Sequence, residues 1–225
     1  MGNLIASETK ERAYEVYKRV DFINYWLYTF TATCLLCLVE PFVAIWLGQD
    51  FVLTKAILIL AVAIYYFKGI NSGIDIAKNA AGLYYPDRFI PMAEAIANMV
   101  ISIVLAKRYG IAGVLFGTLV SFLALSFWAK PYFVCRDVFE VSFARYAVRE
   151  GREIVVSVLA AAGTWYAVSL VSLENVLLSF GVKALLALAL SNGLLLLVYF
   201  KTSEFQYLRG LLESAANRIG KRKKA

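Results

Sequence analysis

The run VLLSFGVKALLALALSNGLLLLVYF, from Val176 to Phe200, decides the fold class. A helix rises about 1.5 Å per residue, so about 20 consecutive apolar residues cross a hydrocarbon core of about 30 Å. This run is long enough. Working back toward the N-terminus, other long apolar stretches stand between clusters of charge, Gly or Pro. They are Phe22 to Leu47, with Glu40-Pro41 expected to break its far end; Leu53 to about Ile76; and Phe89 to Ala106, opening after Tyr85-Pro86-Asp87-Arg88. Next come Ile111 to Val134, which follows the Tyr109-Gly110 turn and contains Lys130-Pro131, and Ile154 to Leu173, parted from the last run by a loop around Glu174. The expected fold is all-α, a polytopic membrane helical bundle of about six transmembrane helices.

Composition agrees with this pattern. Apolar residues make up 61% of the chain and charged residues only 17%, and the mean hydropathy is +0.68, outside the balance of a soluble domain. Residues 1–21 mix Lys10, Arg12, Lys18 and Arg19 with acids and hold no short apolar core, so a cleavable signal is not expected there. Three cysteines and no histidine rule out a histidine base and leave a zinc site short of ligands. No metal and no cofactor is expected. Cys34 and Cys37 read as small packing residues within an apolar run.

Lys and Arg resist translocation, so their distribution among the short loops sets orientation. The N-terminal arm, the loop with Lys78 and Arg88, the segment with Arg136, Arg145, Arg149 and Arg152, and the tail Lys221-Arg222-Lys223-Lys224 are basic and alternate along the chain. Both termini are therefore expected to be cytoplasmic. The net charge of +7 reflects this bias toward one membrane face, and no nucleic-acid partner is expected. The expected organisation is a cytoplasmic amphipathic arm over 1–21, the membrane bundle over 22–200, and an amphipathic helix with a basic tail over 201–225. Three amphipathic stripes are expected on the inner leaflet: Ala13, Val16, Tyr17 and Val20; Phe139, Phe143 and Tyr146; and Phe205, Leu208, Leu212 and Ile219.

Charge at membrane depth costs a few kcal/mol, so it usually faces a cavity or a partner. Lys68, Asn71, Asp75, Lys78 and Asn79 follow helical spacing along the second run, and Glu94 and Asn98 recur at i, i+4 in the third, after Asp87 and Arg88. If the two stripes face one another, Lys68 or Lys78 pairs with Glu94, and Asp75 with Arg88, around a wet groove. A cationic groove suits a phosphate-bearing substrate. The alternative is that Lys78, Asp87 and Arg88 only fix helix depth at the interface. No paired acidic motif is legible, so a membrane-embedded glycosyl- or phosphotransferase is not expected.

The stretches EPFVAIWLG (Glu40 to Gly48), AAGLYYPDRFIPMAEAIAN (Ala80 to Asn98) and YGIAGVLFGTLVS (Tyr109 to Ser121) occur in this order. Together they resemble the C-terminal half of bacterial polysaccharide transporters, the repeat-unit flippases of the multidrug/oligosaccharidyl-lipid/polysaccharide exporter superfamily. The resemblance runs from about Gly2 to Leu212. Arg88, Pro91, Glu94 and Asn98 fall on the family's polar positions, and Gly110, Gly113 and Gly117 on its turn and small-residue positions. Glu40 stands where the family commonly has Asn. The resemblance implies a transporter of undecaprenyl-diphosphate-linked oligosaccharide in the bacterial cytoplasmic membrane, and the intramembrane polar stripes offer Lys68, Asp75, Lys78, Arg88, Glu94 and Asn98 as its substrate-binding candidates. Family members have roughly twice as many spans, in two lobes that alternate around a cavity. A chain of about six spans would have to work with a second copy or a missing N-terminal lobe; otherwise it is a scaffold or an inactive truncated product.

Overall fold

The computed structural model describes residues 9–210, and every regular element in it is helical. α1 (Lys10–Trp46) is followed by a 3-10 turn (Gln49–Phe51), α2 (Lys55–Ala80) and α3 (Ile90–Tyr109). α4 (Ile111–Ala124) and α5 (Ser126–Val134) lead into a π turn (Cys135–Phe139), and α6 (Phe143–Ser169) and α7 (Val176–Tyr199) complete the order. α1 is the central helix and packs against α2, α6 and α7; α2 also contacts α4 and α5, and α3 lies on α4. The chain is a multi-pass helical membrane bundle. The basic tail 221–224, with Leu212 and Ile219 of the third expected stripe, lies outside the described residues.

Among the described residues five helices are long and apolar enough to cross a membrane, with α4, α5 and the π turn counted as one span. α6 is the departure from the expected six. Its first half holds Arg145, Arg149, Glu150, Arg152 and Glu153, and its apolar half ends at Ser169, short of the expected Leu173. The fourth run is not one straight helix, for it breaks at Leu125 ahead of Pro131, whose missing N–H leaves the carbonyl of Phe127 without its helical bond.

α1 begins at Thr9, whose side chain accepts a hydrogen bond from the Arg12 N–H, with Glu11 favourably placed in the first turn. It then continues unbroken through Pro41, because the ring deletes one hydrogen bond while the flanking turns hold. The expected break there is absent. The chain turns only after Leu47, at Gly48, whose φ of 101° and ψ of 164° suit glycine alone.

The first expected amphipathic stripe is split: Ala13 and Tyr17 face protein rather than a leaflet, whereas Val16 is half-buried and Val20 exposed. Ala13, Tyr14 and Tyr17 are buried with Ile74, Ala77, Val134, Cys135, Phe139 and Tyr146, and the rings of Tyr14 and Tyr17 sit 5.4 and 5.1 Å from that of Phe139. Aromatic rings bury large apolar areas and favour such tilted contacts, which draws these two tyrosines into the bundle. The second stripe supplies Phe139 and Tyr146 to the same cluster, and Phe205 of the third stacks on Trp26 at 5.6 Å. Cys37 is buried against Val168 and Ala187, a packing role that agrees with its position in an apolar run.

Candidate functional site

The expected groove residues find other partners than those their spacing suggested. Lys78 of α2 forms an ion pair with buried Asp87, just after the helix end. Asp75 is held by Lys130 of α5, whose Nζ lies 2.9 and 3.2 Å from the two carboxylate oxygens. The Ser126 hydroxyl donates to Glu94, and Asn98 Oδ1 accepts from Ser102 at 2.8 Å and Thr118 at 3.3 Å. Neither expected pairing, Lys68 or Lys78 with Glu94 or Asp75 with Arg88, is formed. The rotation of α2 turns Asp75 toward α5 and places Lys78 beside the α2–α3 loop.

Lys68 and Arg88 differ from the rest. Both are exposed, and no ion pair to a carboxylate is found for either among the described residues. Lys68 Nζ stands 5.7 Å from the centre of the Phe122 ring, and the Arg88 guanidinium lies 4.1 Å from that of Tyr85 and 4.6 Å from that of Phe89. Such cation–π contacts leave the hydrogen-bonding groups of the cations largely free.

A second polar cluster, not anticipated from sequence, forms where the charged half of α6 meets α1. Arg149 pairs with Asp21, and its Nε lies 3.9 Å from Glu153. Carboxylate oxygens of Asp21, Glu150 and Glu153, all buried, lie within 4.8 Å of one another. The Asp21 carboxylate rests against the backbone of α2, where a methyl group at Gly73 would overlap it. The signal was present in α6: Tyr146, Glu150, Glu153, Ser157, Ala160, Thr164 and Val168 are its buried residues at helical spacing, so its acids lie on the packed face. Counting Arg149 as a topological loop charge hid that.

Hydroxyls extend from the cluster along the α1–α6 seam. Tyr25 donates to the Glu153 carbonyl at 3.2 Å and accepts from Ser157 at 3.2 Å, while Thr29 and Ser157 share a bond at 2.8 Å. Thr29, Ser157 and Tyr66 also line an apolar cleft of 340 Å³ between α1, α2 and α6, which reaches Glu40, Lys55 and Trp165. On the other side, a cavity of 400 Å³ is lined by Glu15, Lys18, Arg145, Arg149 and Arg152 among others. The acidic cluster thus lies between a cleft at membrane depth and a charged vestibule, with Arg149 bordering both cluster and vestibule.

Both acids of α6 precede Ile154, where the apolar run begins. Burial, reinforced by the carboxylates of Asp21 and Glu153, raises the pKa of Glu150; burial pushes Glu153 up to about 7, with Arg149 pulling the other way. A carboxyl with a higher pKa in the folded than the unfolded chain holds its proton more tightly when folded. For Glu153 the stabilisation is complete below its ordinary value of 4.5 and is lost as pH rises through about 7. In metal-free buffer the melting temperature in detergent is therefore expected to fall between pH 5 and pH 8.5 (about), and Glu153→Gln to flatten that profile. A profile equally steep in the variant would remove Glu153 as its source.

Comparison with family models, with curated proteins and with solved structures finds no match to this chain.

Proposed function

We propose that this chain is one lobe of a membrane transporter for a lipid-linked oligosaccharide of the undecaprenyl-diphosphate type, a polysaccharide repeat-unit flippase of the bacterial cytoplasmic membrane. The observation that carries the proposal is Lys68, an exposed cation in the middle of an apolar span with no carboxylate partner among the described residues. An uncompensated ammonium at that depth calls for an anion from outside the lobe, and a diphosphate headgroup supplies one. Arg88, stacked on Tyr85 and Phe89 at the start of α3, presents a second cation with its donors available. Glu94 and Asn98, hydrogen-bonded to Ser126, Ser102 and Thr118, keep the neighbouring face polar, and the Asp75–Lys130 and Lys78–Asp87 pairs hold α2 in register. The lipid tail stays in the bilayer. Alternating access needs a second lobe, either another copy or a separate N-terminal lobe.

A non-transporting scaffold is the second reading. It is favoured by the self-pairing of Asp75, Lys78 and Glu94, which leaves only Lys68 and Arg88 for a substrate. Complementation of a flippase-deficient bacterial strain separates the two, with the chain expressed alone and together with the N-terminal lobe of a related transporter. Rescue in either arm is expected for a transporter. Failure in both, with membrane insertion confirmed, favours the scaffold. In the rescuing arm, Lys68→Gln and Arg88→Gln are each expected to lower polysaccharide export about tenfold or more, the equivalent of one lost charge-assisted contact, while Lys223→Gln leaves it unchanged. Equal effects at all three positions would reduce Lys68 and Arg88 to topological anchors.

A further inference from the structure

Charge balance at the α1–α6 seam is incomplete. Asp21, Glu150 and Glu153 bring three carboxylates into a buried site, and among the described residues Arg149 is the one cation paired there, with Asp21 and more distantly with Glu153. With all three acids ionised the cluster carries two uncompensated negative charges. Burial of charge without compensation costs several kcal/mol per ion. The cations nearby do not close the gap: Lys18 is bound to Glu15 at 2.6 Å, and Arg145 and Arg152 are exposed at the vestibule.

Unpartnered polar groups point into the same place. The Tyr17 hydroxyl is fully buried, has no hydrogen-bond partner, and feels the Asp21 carboxylate ahead of Arg149 and Glu150. The Tyr66 hydroxyl, on a side chain only 7% exposed, lies further along the seam beside Thr29 and Ser157 and belongs to the cleft rather than to the cluster. Arg149 Nε, 3.9 Å from Glu153, is buried without a hydrogen-bond partner as well. The neutral oxygen of Tyr17 beside three carboxylates makes a donor set of oxygen only, the preference of hard cations.

We propose that Asp21, Glu150 and Glu153 bind one hard divalent cation of the Ca²⁺ class where α1 and α6 meet, with the Tyr17 hydroxyl adding a neutral oxygen to its shell. Two positive charges neutralise the cluster while Arg149 keeps Asp21 oriented. An all-oxygen set rich in carboxylates suits Ca²⁺, which takes about six to eight oxygens in flexible geometry at about 2.3–2.6 Å, whereas Mg²⁺ demands a near-ideal octahedron and keeps several waters. The ion reaches the cluster from the vestibule, past the Arg149 guanidinium that borders it. The site ties α1 to α6 and owes nothing to the groove around Lys68, so it stands or falls separately from the transport proposal.

Terbium, a Ca²⁺ surrogate whose emission is excited through nearby tyrosines, tests it on the full chain purified in detergent at about pH 8, because carboxylates must lose their protons to ligate. Wild-type protein is expected to give saturable emission that Ca²⁺ displaces. Glu150→Gln and Glu153→Gln are each expected to weaken binding about tenfold or more, and Glu15→Gln in the vestibule to leave it unchanged. Emission that does not saturate, that Ca²⁺ fails to displace, or that survives both substitutions would overturn the proposal. Should the variants fail to fold, the wild-type melting temperature decides: a saturable rise with Ca²⁺, and none with NaCl at equal ionic strength, supports the site. Absence of a Ca²⁺ shift overturns it, including the case in which lowering the pH alone stabilises the protein, for then protons neutralise the cluster.

Discussion

Arg149→Leu is expected to destabilise the bundle by about 3–5 kcal/mol, because removing one partner of a buried pair leaves the other charge uncompensated. The Arg149 side chain is 15% exposed and that of Asp21 6%, so water screens neither effectively. The substitution would leave Asp21, Glu150 and Glu153 together with no paired cation, and it would also strip the guanidinium from its places 5.7 and 5.4 Å from the ring centres of Tyr17 and Tyr146. Combining it with Asp21→Asn is expected to recover part of the loss, since the orphaned carboxylate goes too, and a double-mutant cycle measures the coupling. Denaturant unfolding in detergent micelles, at about pH 8 without added cation, compares the four proteins. A loss below about 1 kcal/mol for Arg149→Leu would place the pair among ordinary surface ion pairs and contradict its burial.

Gly113→Leu is expected to part α3 from the bundle. A Cβ at Gly113 would overlap the carbonyl of Leu105, and one at Gly117 would overlap the Ser102 hydroxyl and stand 3.0 Å from its backbone nitrogen, so the two glycines form the surface on which α3 lies. Backbone cannot move aside as a side chain end can. α3 buries no residue of its own, and its principal contact is α4; α5 adds a smaller contact that includes the Ser126–Glu94 hydrogen bond. The expected cost is about 3 kcal/mol, the upper end for overpacking. A cysteine at Ser102, shielded by α4, is expected to label slowly in the parent protein and quickly in Gly113→Leu. Gly181→Ala and Gly193→Ala, where an added Cβ meets nothing within 4 Å, are expected to be neutral or stabilising by up to about 1 kcal/mol. Unchanged labelling in Gly113→Leu would show that α3 is held by contacts other than this one.

The helices and their apolar character could be read along the chain, because backbone hydrogen bonds in lipid must close within each segment and the length of an apolar run measures the span directly. Residues 22–47 and 176–200 were legible on that basis, as were the small-residue face at Gly113 and Gly117 and the polar spacing of Lys68, Asp75 and Lys78 on α2. Which charge meets which was not legible. Asp75 meets Lys130 at a separation of 55 residues and Asp21 meets Arg149 at 128, and both pairings depend on how each helix is rotated against its neighbour. That rotation follows from the packing of whole faces, such as Tyr14 and Tyr17 against Phe139, which no local window contains. The sequence by itself therefore determined an all-α membrane bundle and its intramembrane charges, through the local periodicity of each run. Only the tertiary structure decided that Lys68 and Arg88 meet aromatic rings and no carboxylate among the described residues while three acids of two distant helices share one buried site, because burial and pairing belong to the packed assembly.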